Sequence, residues 1–373
     1  MKLTQRLTRA LTNYEVVIAT VTAVVLVIRL TGGSFTGDIV APPAEAASAA
    51  TVTPFTHATR SVATPPDVGV PDASVAPNGS TDVAPGGYRA LPSPSGPDGL
   101  TVIAQLASPG AVAVAPSGVV WMGTNATAGQ PPRVLRLRPD GGVDRAYPLP
   151  GSTGGITALV ASDAGDVYVL GTAPAAVSLL HAASGTVDAY ATIPDVTPCV
   201  PTLLVTNCDA GLVDRPPAPT AMAFDAAGSL FVADADQGAI WRVKAGGGRA
   251  EQWFVEVGWA NPTRPAGPTG LAFDGAGAVV VVVQSLLTED PGALYLIDVD
   301  GRGAPGAVRE LTRFDAAARP SGVALARSGR LYIPLRATGR LLVLDPTGKV
   351  VGSLPADDPG LGTPVGVAFR GTH

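Results

Sequence analysis

The sequence predicts an all-β chain: a β-propeller with five four-stranded blades and an incomplete sixth. Three observations predict it. One phrase recurs five times with a glycine in the same place. Short strands and tight turns alternate around each copy. The composition has 45 Gly and 36 Pro but only 15% charged residues, as expected of many turns between short buried strands.

The N-terminal segment comes first. Lys2, Arg6 and Arg9 precede the apolar run "VVIATVTAVVLVI", Val16 to Ile28. The pattern predicts a hydrophobic helix that directs export, with the basic residues kept inside. Two fates stay open, an uncleaved membrane anchor or a signal cleaved near Ala44-Glu45-Ala46. Either places the rest of the chain outside the cytoplasm. Residues 1–40 form this stub and anchor. Residues 41–98, rich in Ala, Pro, Ser and Thr, have no strand or helix periodicity and are expected to be a disordered tether. The propeller occupies 99–373.

The repeats are "PGAVAVAPSGVVWMG", "ITALVASDAGDVYVL", "PTAMAFDAAGSLFVA", "PTGLAFDGAGAVVVV" and "PSGVALARSGRLYIP". Their shared glycines are Gly118, Gly165, Gly228, Gly277 and Gly329, at spacings of 47, 63, 49 and 52. Each phrase supplies two strands and the turn between them. A third strand follows, such as "AIWRVKA" or "RLLVLDP", then an Asp-Gly or Pro-x-Gly turn and a fourth strand. Four antiparallel strands per repeat of about 40–50 residues describe a propeller blade. Residues 101–106 resemble an outermost strand and residues 364–369 an innermost one, so the sixth blade lacks its two middle strands.

The blade order also sorts the loops. Connections between second and third strands, and between blades, share one face, and the long segments fall there. They include "NATAGQPP", the stretch near 192–218, "VGWANPTRPAG", "QSLLTEDPG" and "ADDPGLG". Long loops on one rim of a rigid scaffold are a usual place for binding. Trp259, Asn261, Arg264 and Gln284 on this face are candidate ligand contacts, by stacking and hydrogen bonding. Cys199 and Cys208 are expected to form a local disulfide in an exported chain. The net charge of −5 and the absence of a basic cluster argue against nucleic acid.

At "PTAMAFDAAGSLFVADADQGAIWRVKAGGG", "PTGLAFDGAGAVVVVVQS" and "PSGVALARSGRLYIPL" the chain resembles the senescence-marker-protein/gluconolactonase superfamily, the regucalcin-like six-bladed propellers. Earlier repeats, notably "VLRLRPDGGVDRAYPLPGSTGGITAL", are similar to virginiamycin B lyase and NHL-type propellers. The first resemblance implies a divalent cation, often calcium, in the central opening. Its ligands would be a Glu, an Asn and an Asp at the starts of first strands. The matching positions here are Gly110, Thr157, Thr220, Thr269, Ser321 and Val365. None is a carboxylate or carboxamide, whereas hard cations need several oxygen ligands, usually some charged. Thr220, Thr269 and Ser321 are therefore expected to line the opening as candidate ligand contacts without holding a metal, and no cofactor is expected. The alternative is a gluconolactonase-like hydrolase whose relocated site takes calcium or another divalent cation through Glu289, Asp290 or Asp236. His181, in a third-strand pattern, reads as structural. Asp225 and Asp274 read as turn residues.

Overall fold

A computed structural model of the chain describes residues 14–20, 24–30, 100–105 and most of 109–370. Residues 31–99, 197–215, 260–265, 286–291 and 355–363 lie among those outside the description. The described chain is almost entirely strand, arranged in six sheets.

Five blades follow one another along the chain, each an antiparallel sheet with its strands in sequence order from first to fourth. Blade one runs from Pro109–Val114 to Val143–Pro148, and blade two from Ile156–Ala161 to Val187–Thr192. Blade three runs from Pro219–Phe224 to Glu251–Val255, blade four from Ala266–Phe273 to Pro305–Arg313, and blade five from Ala324–Leu325 to Val350–Leu354. Blade two gains a short parallel fifth strand, Gly248–Arg249, lent by the turn before the last strand of blade three.

The second strands are covered on both faces, and their sequences show it. Leu230–Asp234 and Leu331–Leu335 are buried at every residue. "VVVVVQS" is an unbroken apolar run that ends in two polar residues. A strand packed on both sides has no polar face, so its sequence does not alternate. The core is consequently a series of clusters between neighbouring blades. Trp121, Val134, Ile156 and Leu180 join blades one and two. Leu170, Val232 and Trp241 join two and three, Phe231, Ile240 and Val281 three and four, and Val282, Leu294 and Ile333 four and five.

All five shared glycines have positive φ, between 78° and 89°. L side chains are strained there, which is why the glycine register survives while its neighbours vary. The turns between first and second strands repeat one hydrogen bond, as in Asp225 N to Ser229 O at 3.0 Å and Asp274 N to Ala278 O at 2.9 Å. Asp225 Oδ1 accepts from Ala227 N at 2.9 Å and Ser229 N at 2.7 Å. Asp274 Oδ1 accepts from Ala276 N and Ala278 N at 2.9 and 2.8 Å. Both aspartates are turn residues, as read from the sequence.

The sixth sheet takes in the apolar run, which the sequence reading gave as a helix. The backbone of the run makes two strands, Tyr14–Thr20 and Val24–Leu30, paired antiparallel to each other. The first pairs with Pro364–Arg370 and the second with Leu100–Gln105. The sheet therefore has four strands, where the sequence reading left it with two. A continuous apolar run fits a buried helix and a pair of doubly covered strands equally well, and periodicity alone does not separate them. Among the described residues no helix is long and apolar enough to cross a membrane. The expected tether at 41–98 lies outside the described residues.

Candidate functional site

In every blade the first strand starts, and the second strand ends, on the face that carries the long connections. The positions expected to line the central opening are found at these starts. Their hydroxyls are engaged. Thr157 Oγ1 donates to Pro219 O at 2.9 Å, Thr220 Oγ1 to Pro268 O at 2.6 Å, Thr269 Oγ1 to Pro320 O at 3.2 Å and Ser321 Oγ to Pro364 O at 3.0 Å. Each acceptor is the proline that begins the motif of the next blade. The four bonds form a belt from blade two to blade six. All four residues are only half-buried.

The other two positions have no hydroxyl. At Gly110 a Cβ would lie 2.4 Å from the carbonyl oxygen of Ile156. Blade one thus approaches blade two through a missing side chain. Val365 instead packs on the cluster of Val112, Met122, Leu135 and Leu137 in blade one.

These residues do not fit a resident divalent cation. The hydroxyl protons point at carbonyls, and the ring brings no negative charge to the ligand positions. Among the described residues no group of three or more His, Cys, Asp or Glu could hold a metal ion. Glu289 and Asp290 lie outside the described residues.

The remaining expected contacts are dispersed. Trp259 is 5% exposed, with ring centroids 5.4 Å from Phe254 and 5.3 Å from Tyr295. It packs in the cluster between blades three and four, so its ring is not offered to a ligand at the rim. Gln284 is half-buried near the end of its strand, in register with Gly267 and Gly292. Asn261, Arg264, Cys199 and Cys208 lie outside the described residues. His181 sits between two carboxylates, its Nδ1 3.2 Å from Asp166 and its Nε2 3.1 Å from Asp188. It fastens the tight-turn end of blade two, on the face opposite the long connections.

The sequence reading missed a polar group that the structure places on the long-connection face. Asp234 ends the second strand of blade three and is fully buried. Its Oδ1 accepts from Ala218 N at 3.0 Å and Gln237 N at 3.2 Å, and its Oδ2 from Trp241 Nε1 at 3.3 Å. Burial outweighs these three donors and pushes the carboxyl up to about 6. Gln237 Nε2 donates to Asp195, which follows the outermost strand of blade two. The group therefore ties blade two to blade three, holding Asp195 and Ala218, which flank 197–215 in the sequence. Its sequence signal was an acid closing an otherwise apolar strand, "LFVAD".

Similarity to known proteins agrees at the level of fold. No protein-family profile matches the chain, and no curated protein sequence does. Solved structures do. A nidogen/laminin complex matches at a TM-score of 0.55 and 11% identity, covering 96% of this chain and 98% of that one. A Bacteroides caccae protein of unknown function matches at 0.51 and 12%, covering 96% and 99%. A gluconolactonase from Xanthomonas campestris matches at 0.48 and 16%, covering 69% and 78%. At such identities the likeness concerns architecture alone. The chain is a β-propeller, and structures of the gluconolactonase type are among its neighbours.

Proposed function

We propose that this chain is a binding propeller that presents a small-molecule or protein site on its long-connection face and has no metal-dependent hydrolase activity. The hydroxyl belt carries the reading. Where the gluconolactonase resemblance implies cation ligands, Thr220, Thr269 and Ser321 donate to neighbouring carbonyls and hold blades together. The strand ends on the face to which the sequence assigns its long connections, tied across two blades by the Asp234 group, would supply a rigid platform for loops that recognise a partner. The reading does not depend on where the chain resides. The extracytoplasmic, membrane-anchored location expected from Val16–Ile28 draws no support from the strand pairing of those residues.

The test is a calcium and zinc titration of the purified chain by calorimetry, followed by a lactone panel. The expected result is no stoichiometric binding tighter than millimolar and no turnover above the uncatalysed rate. Tight binding with turnover would overturn the proposal in favour of a relocated hydrolase site.

A further inference from the structure

We propose that residues 14–30 are the closing element of the propeller, folded in as the two middle strands of its sixth blade, and that this role excludes their use as a membrane anchor. The inference is independent of the ligand reading. It rests on register, sequence grammar and the faces that the hairpin meets.

Thr20 is paired with Pro364, as Thr124 is with Pro109 and Asp234 with Pro219. In all three blades the pairing slips immediately beside this proline, so the N-terminal strand reproduces an irregularity shared by the ring. Pairing inside the hairpin matches as well. Val16 opposes Ile28 and Ala19 opposes Val25, just as Val120 opposes Leu137 and Gly123 opposes Val134. In that register "VVIAT" (16–20) lies over "VWMGT" (120–124), and "VVLVI" (24–28) over "RVLRL" (133–137). The run thus has the apolar spacing and terminal threonine of a second strand, followed by the apolar spacing of a third.

Blade one presents a surface that needs such a cover. Blade one turns Val112, Met122, Leu135 and Leu137 toward blade six, and Met122 and Leu135 are wholly buried. On the other side Tyr332 of blade five meets Phe369 of blade six edge-on at 4.9 Å. Without the hairpin, blade six keeps only its innermost and outermost strands. Each then has an unpaired edge, and the apolar face of blade one loses cover. A bilayer offers the run a poorer fit, since its thirteen residues fall short of the roughly 20 needed to span. One segment cannot occupy both places, so anchoring and closure are alternative fates.

Disulfide trapping in the full-length chain tests this, with Cys199 and Cys208 replaced by Ser. Val17→Cys and Ala368→Cys occupy paired positions, and directly opposed strand residues lie within disulfide reach. The expected result is an intramolecular cross-link in detergent-free solution, with the chain in the soluble fraction. Hydrogen exchange on the unmodified chain covers the case in which the variant does not fold. Amides of 14–20 and 24–30 are expected to be protected roughly a thousand-fold or more, together with those of 364–370. A chain extracted only by detergent, a cross-link formed only between molecules, or protection that appears only with added bilayers would overturn the proposal.

Discussion

The hydroxyl of Thr220 in blade three lies 2.6 Å from the carbonyl oxygen of Pro268 in blade four. The bond joins neighbouring blades at the position where the sequence resemblance called for a metal ligand. Thr220→Val keeps the shape and removes the donor, leaving the carbonyl of buried Pro268 with one partner fewer. The expected cost is about 1–3 kcal/mol, read as a lower midpoint in denaturant unfolding with an unchanged slope. A midpoint equal to that of the unmodified chain would show that the belt carries no stability.

The Asp234 group predicts a pH dependence. The folded carboxyl titrates at about 6 because it is buried, and the unfolded one near about 3.9. Between these values the folded chain holds a proton that the unfolded chain has lost. The contribution is fully present below about pH 4 and is lost as pH rises through about 6, by about 3 kcal/mol in total. Asp234→Asn should flatten this limb of the stability profile. Unfolding measured from pH 4 to pH 7 in both chains checks it.

Trp259 is expected to behave as a core residue. Trp259→Ala should destabilise by about 3–5 kcal/mol, the range for removing a large buried ring. Trp259→Phe should recover most of that, since the packing on Phe254 and Tyr295 needs area more than a particular ring. A variant that lost ligand affinity with no change in thermal midpoint would return Trp259 to the binding face.

Turn chemistry gives a fourth expectation. Gly228 has a φ of 80° and only Ala245 near its Cβ position, at 3.9 Å. Space is therefore not limiting. Gly228→Ala should cost about 1 kcal/mol or somewhat more through backbone strain alone, and Gly228→Asn less, because Asn tolerates the left-handed region. Equal midpoints for the two variants would contradict the strain account.

Five blades were legible because each carries its own punctuation. Gly228 and Asp225, or Gly277 and Asp274, mark a hairpin whatever surrounds it. The sixth was not legible, because its strands come from opposite ends of the chain and no turn joins the innermost strand at Pro364 to Tyr14. Its middle strands are separated only by Val21-Thr22-Ala23, with no glycine to punctuate the apolar run. The ring positions could be picked out by counting from each proline. Their bonding could not, since the acceptor of Thr220 lies 48 residues further along. Trp259 misled for a related reason. A Trp inside a loop-like phrase reads as exposed until the neighbouring blade supplies Tyr295.

The hydroxyl belt fastens four junctions, from blade two round to blade six, and at the junction of blades one and two Gly110 brings the backbones together. Val365 meets blade one through apolar contact. In mechanical terms the molecule is a hoop clasped by hydroxyls at four of its six joints. Among the described ring positions, the joints on either side of blade one carry no such clasp. Dilation of the central opening would therefore strain four polar links unless it is taken up on the flanks of blade one.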